Sequence, residues 1–408
     1  RTRWKPLTPN LPFYLFVRKD DAAREEYERF PQVTDVLPNT VTGIVTARDA
    51  FVIDFDAADL VSRVVDFSRA KDSRAGLLAT FDLKENYAWR VDEAQKQLRR
   101  ALTGQRPARF VRQLLYRPFD TRVIFYHASV VWRPRDEIMQ HMVIGKNVAI
   151  MIGRAAQVIG PGMWDIVHCA RGMTDLNCFR RGGNNLFPLY LYPNGDELIQ
   201  ASPWPAGKDG RRPNLSVEFV AEFGDKLGLA FVPDGVGDLK KTFGPEDVFH
   251  YIYAVFHCPT YRSRYAEFLK LDFPRLPLPS ARKLFANLCA LGAELVGLHL
   301  LERVPAPGAT YPQAGDSVVD KPRYKPPTDE AAGRVYVNKS QYFDNVPPEV
   351  WEFHVGGYQV CEKWLKDRKG RTLSYDDIQT YRKITEALRG TIRLMGEIDA
   401  EIPAWPLG

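Results

Sequence analysis

The sequence predicts an α+β fold in which a lobe built on a mixed β-sheet joins a helical C-terminal lobe ending in a long helix. Three observations predict it. Segments rich in Val, Ile, Phe and Tyr, punctuated by Gly, Pro and Asn, crowd the stretch from Arg122 to Tyr192. Apolar residues at three-to-four spacing dominate on either side of that stretch. The closing segment Ser374–Ile398 has an N-cap serine, Asp376 and Asp377 in its first turn, and Ile378, Tyr381, Ile384, Leu388, Ile392 and Met395 along one face. It is a helix of roughly 25 residues, about 37 Å long at 1.5 Å per residue.

The elements follow in order. Leu11–Val17 is a short apolar run, and Ala22–Phe30 reads as a helical turn or two. Residues 1–30 are therefore expected to be the tail of a preceding domain, because Arg1-Thr2-Arg3-Trp4 offers neither an initiator Met nor an apolar signal core. Val41–Asp54 reads as strand, turn and strand, with Thr42-Gly43 letting backbone approach a ligand. Helices are expected at Ala57–Arg69 and Trp89–Leu102, and strands at Arg122–Tyr126, Asn147–Met151, Gln157–Ile159 and Leu186–Tyr192. Helix returns at Asn214–Leu227 and at Pro245–His257, where Pro245 suits the first position and Glu246-Asp247 the positive end of the dipole. Ser280–Leu301 repeats Phe285, Leu288, Leu291, Leu295 and Leu298 at core spacing. Pro305–Pro327 lacks periodicity and reads as a loop, followed by a short strand at Arg334–Asn338. The division is thus 31–240 for the mixed lobe and 241–408 for the mainly helical lobe, with a loop at 305–330.

Composition narrows the function classes. A chain of 408 residues needs two or three substructures, and 45% hydrophobic with 26% charged residues excludes disorder and fibrous architectures. No apolar stretch is long enough to span a bilayer, so no membrane is expected. The five cysteines, Cys169, Cys178, Cys258, Cys289 and Cys361, lack both a disulfide framework and Cys-x-x-Cys spacing. They are expected to be reduced thiols of a cytoplasmic protein without a metal. The formal charge of +6 is unevenly spread: Arg100–Arg135 holds eight arginines against the single acid Asp120. None of those cations is lysine, and a guanidinium fork grips phosphate or the guanine edge bidentately. An anionic partner is the natural inference, against the plainer reading of a solvated charged face with a few core ion pairs.

Catalytic signatures are missing. There is no Gly-rich cofactor turn after a first strand, no Asn/Asp-Pro-Pro-aromatic loop for a flipped adenine, no phosphate-binding P-loop and no Gly-x-Ser-x-Gly elbow. What stands out instead is arginine mixed with aromatics. Tyr116-Arg117-Pro118-Phe119-Asp120-Thr121-Arg122 sets two arginines beside an aspartate that can orient one of them. Val131-Trp132-Arg133-Pro134-Arg135 presents two arginines on extended backbone. Tyr261-Arg262-Ser263-Arg264-Tyr265 and the stretch Lys363–Arg371 repeat the mixture. The bland alternative for each is an arginine stacked on its neighbour in a structural network.

Taken together, these clusters and their surroundings resemble the C-terminal specificity region of type ISP restriction-modification enzymes. Those are single polypeptides joining nuclease, helicase-like ATPase, adenine methyltransferase and target-recognition parts. The resemblance runs through Thr42-Gly43 with Arg48-Asp49, Tyr116–Arg122, Arg133-Pro134-Arg135, Phe187–Tyr190 and Tyr251–Val255. It continues through Pro259–Arg262, Phe273–Pro277, Gly356–Val360 and Lys363–Arg368. It implies a module without catalytic residues that reads duplex DNA and presents an adenine to a methyltransferase part. S-adenosylmethionine would bind that part and not this chain, and Trp4–Phe16 would be its tail. The partners implied are double-stranded DNA and the methyltransferase and helicase-like parts of the same polypeptide. Candidate DNA contacts are Thr42, Gly43, Arg48, Arg117, Arg122, Arg133, Arg135, Arg180, Arg181, Arg262, Lys363 and Arg368. Two other readings stay open: a coupling module that docks on those parts and touches DNA little, and a fragment that retains some catalytic role.

Overall fold

A computed structural model describes residues 23–143, 146–153, 164–180, 182–193, 203–279 and 281–407. Leu11–Val17, Gln157–Ile159 and Arg181 lie outside the described residues. The architecture is α+β. Two four-stranded sheets form the first part of the chain. One runs β2 (Ile53–Asp54), β4 (Asp120–Phe125), β3 (Val111–Arg117), β7 (Met173–Thr174) and mixes antiparallel pairs with a parallel β3–β7 edge. The other runs β1 (Val41–Thr42), β8 (Asn184–Pro188), β5 (Ala149–Gly153), β6 (Val167–Ala170) and is antiparallel throughout. β5 and β6 are buried at every position, which is why they read as continuous apolar runs and not as alternating ones.

Several expectations change in detail. Within Val41–Asp54 the segment Asp49–Val52 is a helical turn between two short strands, because Phe51 and Val52 both need burial and sit on one side of a turn. The expected strand Leu186–Tyr192 is split at Leu189 into β8 and the pair Tyr190–Leu191. The expected loop 305–330 contains a strand, Arg323–Lys325.

The C-terminal part is organised by Pro245–His257, Arg282–His299 and Tyr375–Glu401, three helices whose apolar faces meet. The long last helix carries the full capping box: the Ser374 hydroxyl accepts from the Asp377 amide at 3.1 Å, and the Asp377 carboxylate accepts from the Ser374 amide at 3.0 Å. Among the described residues no helix is long and apolar enough to cross a membrane. All five cysteines are buried and unpaired with one another.

The two parts are joined through a buried cluster of histidines. Phe119, at the tip of the β3–β4 hairpin, packs edge-on against His168 of β6 and His299 of the second long helix, with centroids 4.9 and 5.4 Å away. The two imidazoles lie 5.0 Å apart, and His257 is 5.2 Å from His299. His299 is held by the Tyr253 hydroxyl and, at 2.9 Å, by Thr391. Burial drives His168 down to about 4, and burial together with the Arg262 charge and a neighbouring histidine holds His257 and His299 well below the usual value. In the unfolded chain each titrates near 6.5. The unfolded state therefore binds more protons in mild acid. Stability from these residues is full above about pH 6.5 and drains as pH falls towards the folded-state values, by up to about 1.4 kcal/mol per histidine per pH unit. Urea midpoints at neutral pH and near pH 5 should differ clearly, with the acid value lower; equal midpoints would show that the cluster is hydrated or already charged.

Candidate nucleic-acid interface

Strand alternation and a tight hairpin decide where the arginine-rich segment points. Arg117 and Asp120 pair across the two-residue turn Pro118-Phe119, in which Phe119 adopts φ +61°. That turn brings Arg117, Asp120 and Arg122 to the end of the sheet facing the helix Val360–Lys366. Asp120, 1% exposed, accepts from Arg122 at 3.0 and 2.7 Å through one oxygen and from Arg368 at 2.9 Å through the other. Asp367 takes a second bond from Arg122 at 3.1 Å and one from Lys363 at 2.5 Å. Arg117 is paired with Asp175 at 2.7 Å.

Aromatic faces fill the remaining sides. Phe55 lies under three guanidinium groups, those of Arg122, Arg368 and Arg371, at 4.3, 4.7 and 4.4 Å. Tyr116 stacks on Arg117 and Arg122 at 3.7 and 4.0 Å, and Trp364 on Arg368 at 3.3 Å. Guanidinium suits this role because it is planar and weakly hydrated, so stacking and carboxylate pairing together offset its desolvation. The result is a clasp that ties the sheet to the C-terminal helices.

This corrects part of the expected site. Arg117, Arg122 and Arg368 are interior cations of the clasp and not a wall open to a ligand. Arg48, 7% exposed, stacks on Trp89 at 4.0 Å and donates to the Val130 carbonyl; burial lowers its pKa to about 10. Arg262 lies apart from the others, buried beside Trp164 with a bond to the Phe256 carbonyl, and burial lowers it likewise to about 10. The physical reason is shared: an arginine beside aromatics in sequence looks the same whether the protein's own rings or a ligand will cover it.

Other predicted residues converge at the surface around the clasp. Thr42 pairs with Asn185, and the Gly43 amide donates to the Asn184 carbonyl at 3.1 Å. A Cβ at Gly43 would stand 2.7 Å from the Asp175 backbone, so only glycine lets the two segments meet. The Thr42 hydroxyl oxygen is buried with no hydrogen-bond partner. Ile44 then bridges to Asp175, and Val45 pairs antiparallel with Arg133, which places the exposed Arg133 side chain along the same edge. The loop that follows β7 is fixed by Asn184, whose amide donates to the carbonyls of Asp175 and Leu176 at 2.8 and 2.9 Å, and by Asp175 accepting from the Asn177 amide at 2.9 Å. It ends at Arg180, exposed and at φ +89°.

Arg180 rests on the turn His354–Gln359. The Gly357 amide donates to the Phe179 carbonyl at 3.2 Å, and a Cβ at Gly357 would stand 2.5 Å from the Arg180 side chain. Tyr358 follows, with Lys363 5.1 Å and Arg117 5.6 Å from its ring. Arg135 is half-buried at φ +63°, and its carbonyl accepts from the amides of Ile138 and Met139. The exposed cations of this corner are therefore Arg133 and Arg180, with Arg135 and Lys363 half-buried and the Thr42 hydroxyl and Gly43 turned into the protein. Tyr358 lies in the stretch Gly356–Val360 without an expected role, Asn184 carries no motif of its own, and Phe55 has no sequence signal at all. Gly357→Ala should displace Arg180, whose Cδ and Cβ would stand 2.5 and 3.1 Å from the added methyl, at a small cost in the urea midpoint. Duplex binding should then weaken severalfold, and unchanged binding would separate Arg180 from the interface.

A family model for the Type ISP C-terminal specificity domain matches residues 35–397. Among solved structures, the chain is similar to a nuclease-deletion mutant of the Type ISP restriction-modification enzyme LlaGI in complex with a DNA substrate mimic. The TM-score is 0.63 with 18% identity, over 98% of this chain and 30% of that one. It is similar to the ATP-dependent Type ISP restriction-modification enzyme LlaBIII bound to DNA, with TM-score 0.65 and 17% identity over 94% of this chain and 24% of that one. It is also similar to the protein of a DrdV–DNA complex, with TM-score 0.65 and 20% identity over 90% of this chain and 36% of that one. The chain thus spans between 24% and 36% of the length of these structures, which share its fold. No curated protein matches it.

Proposed function

This chain belongs to the Type ISP C-terminal specificity domain family, and on that premise we propose that it recognises duplex DNA by sequence and positions it for a catalytic part outside these residues. The observation that carries the reading is the corner around Gly43. Exposed cationic side chains outside the clasp, Arg133 and Arg180 foremost, stand beside half-buried Thr42 and Lys363, where Gly43 lets two backbone segments of the protein pack directly on each other. Phosphate contacts from such arginines fix register, and one or two polar side chains at the centre read base edges. The clasp beneath supplies what recognition needs, a base that does not shift when a partner presses on it.

The methyltransferase and helicase-like parts of a longer polypeptide are the proposed partners, acting in the cytoplasm. Adenine methylation and binding of S-adenosylmethionine fall to that methyltransferase part. A second reading, a coupling module with little DNA contact, is favoured by the burial of Arg117, Arg122 and Arg368 between the two lobes. Fluorescence anisotropy with a labelled mixed-sequence duplex, run across a salt series, decides between them. Recognition predicts binding whose logarithm falls steeply and linearly with the logarithm of salt. Coupling alone predicts no binding even at low salt.

A further inference from the structure

The strands Arg323–Lys325, Arg334–Tyr336 and Tyr342–Phe343 form an antiparallel sheet, the first in the stretch expected to be a loop, the second in the expected strand Arg334–Asn338 and the third beyond it. Alternation separates its faces. Val335 and Phe343 are fully buried, Phe343 4.3 Å from Tyr381 of the long helix, and Tyr324 stacks on Trp351 at 5.3 Å. The other face consists of Arg323, Lys325, Arg334, Tyr336 and Tyr342, without one aliphatic side chain. The two tyrosine rings lie 5.0 Å apart, with Arg323 and Lys325 at 5.7 and 5.0 Å from Tyr336 and Arg334 at 4.6 Å from Tyr342. Arg334 is paired with Asp344 at 3.1 Å. Arg323 and Lys325 are exposed and form no ion pair among the described residues.

We propose that this face is a second, sequence-independent contact for the phosphodiester backbone of the DNA, which rests on the reading of the chain as a duplex-binding module. Charge decides the occupant. Two exposed cations without an ion-pair partner among the described residues, both over the Tyr336 ring, suit a polyanion, and a face with no aliphatic residue gives an apolar protein surface nothing to bury. The sheet is also continuous with the clasp. The Val319 amide donates to the Arg371 carbonyl at 2.9 Å, Gly370 returns a bond to Val319 at 2.7 Å, and the Arg371 guanidinium lies over Phe55. On this proposal a duplex held at the corner around Gly43 extends past the clasp to reach this face, which makes duplex length the variable to test.

The test compares the 408-residue chain with its Arg323→Gln/Lys325→Gln variant on labelled mixed-sequence duplexes of about 15 and about 40 base pairs in a salt series. The expected result is a loss of roughly tenfold in affinity on the longer duplex, with a log–log salt slope shallower by about 1.8, and little change on the shorter one. A matching melting midpoint for the two proteins excludes misfolding, because both side chains are exposed. If the parent chain binds the longer duplex and the variant matches it in affinity and slope, this contact is refuted while the recognition reading stands. If the parent binds neither duplex, both fall.

Discussion

Asp120→Ala is expected to cost about 3–5 kcal/mol of stability, the cost of stripping a buried ion cluster of its shared counter-ion. Two guanidinium groups converge on this carboxylate, Arg122 at 11% side-chain exposure and Arg368 at 6%, and Asp120 itself is 1% exposed. After the substitution Arg122 keeps only Asp367, and Arg368 keeps a distant Asp377 at 3.5 Å. Asp120→Asn should be nearly as harmful, because an amide offers one acceptor where the carboxylate serves three donors. Urea unfolding checks both. Replacing Asp120, Arg122 and Arg368 together by Leu, Met and Met removes the unmet charges and should recover most of the loss. Recovery would show that the cost came from orphaned cations; a midpoint near the parent's for Asp120→Ala alone would show that water enters the clasp.

The second large effect is on binding. Arg133→Ala with Arg180→Ala should weaken duplex binding roughly tenfold to a hundredfold and make the log–log salt slope shallower by about 1.8, with the folding midpoint unchanged. Both side chains are exposed, and neither belongs to the clasp. Arg117→Ala should behave in the opposite way. Its partner Asp175 is 3% exposed, so the variant should lose stability while the salt slope of whatever folded protein remains is preserved. If Arg117→Ala instead lowers the slope and Arg133→Ala/Arg180→Ala does not, surface and interior roles have been assigned the wrong way round.

Secondary structure was legible wherever local chemistry and burial agreed. Ala57–Arg69 and Pro245–His257 form over the expected residues, because each combines an apolar stripe with a well-marked start, Asp56 capping the first and Pro245 opening the second. The strand Val111–Arg117 escaped notice: Arg112 and Gln113 break its apolar run, and pairing with β4 stabilises it more than propensity does. Arg323–Lys325 was hidden by its prolines and lysines, and it exists through its pairing with Arg334–Tyr336.

Surface and interior arginines could not be told apart in the sequence. Thr42-Gly43, Arg180 and Lys363 are linked through the loop after Asp175 and the turn His354–Gln359, beside the clasp that encloses Arg117 and Arg122. Which arginines reach solvent depended on Asp175, Asp367 and Phe55, residues distant in sequence from the cations they cover. Charge counting over Arg100–Arg135 cannot register such partners: Arg117 and Arg122 of that segment are engaged in the joint, whereas Arg100, Arg106, Arg109 and Arg133 are exposed.

Selection from a library of duplexes with a randomised centre, using this chain as the bait, tests the claim of sequence recognition most directly. A single motif should be enriched over successive rounds, and the Arg133→Ala/Arg180→Ala variant should retain less DNA while favouring the same motif. A pool that stays random, or DNA retained equally by every sequence, would contradict recognition and leave the chain as a joint between other parts.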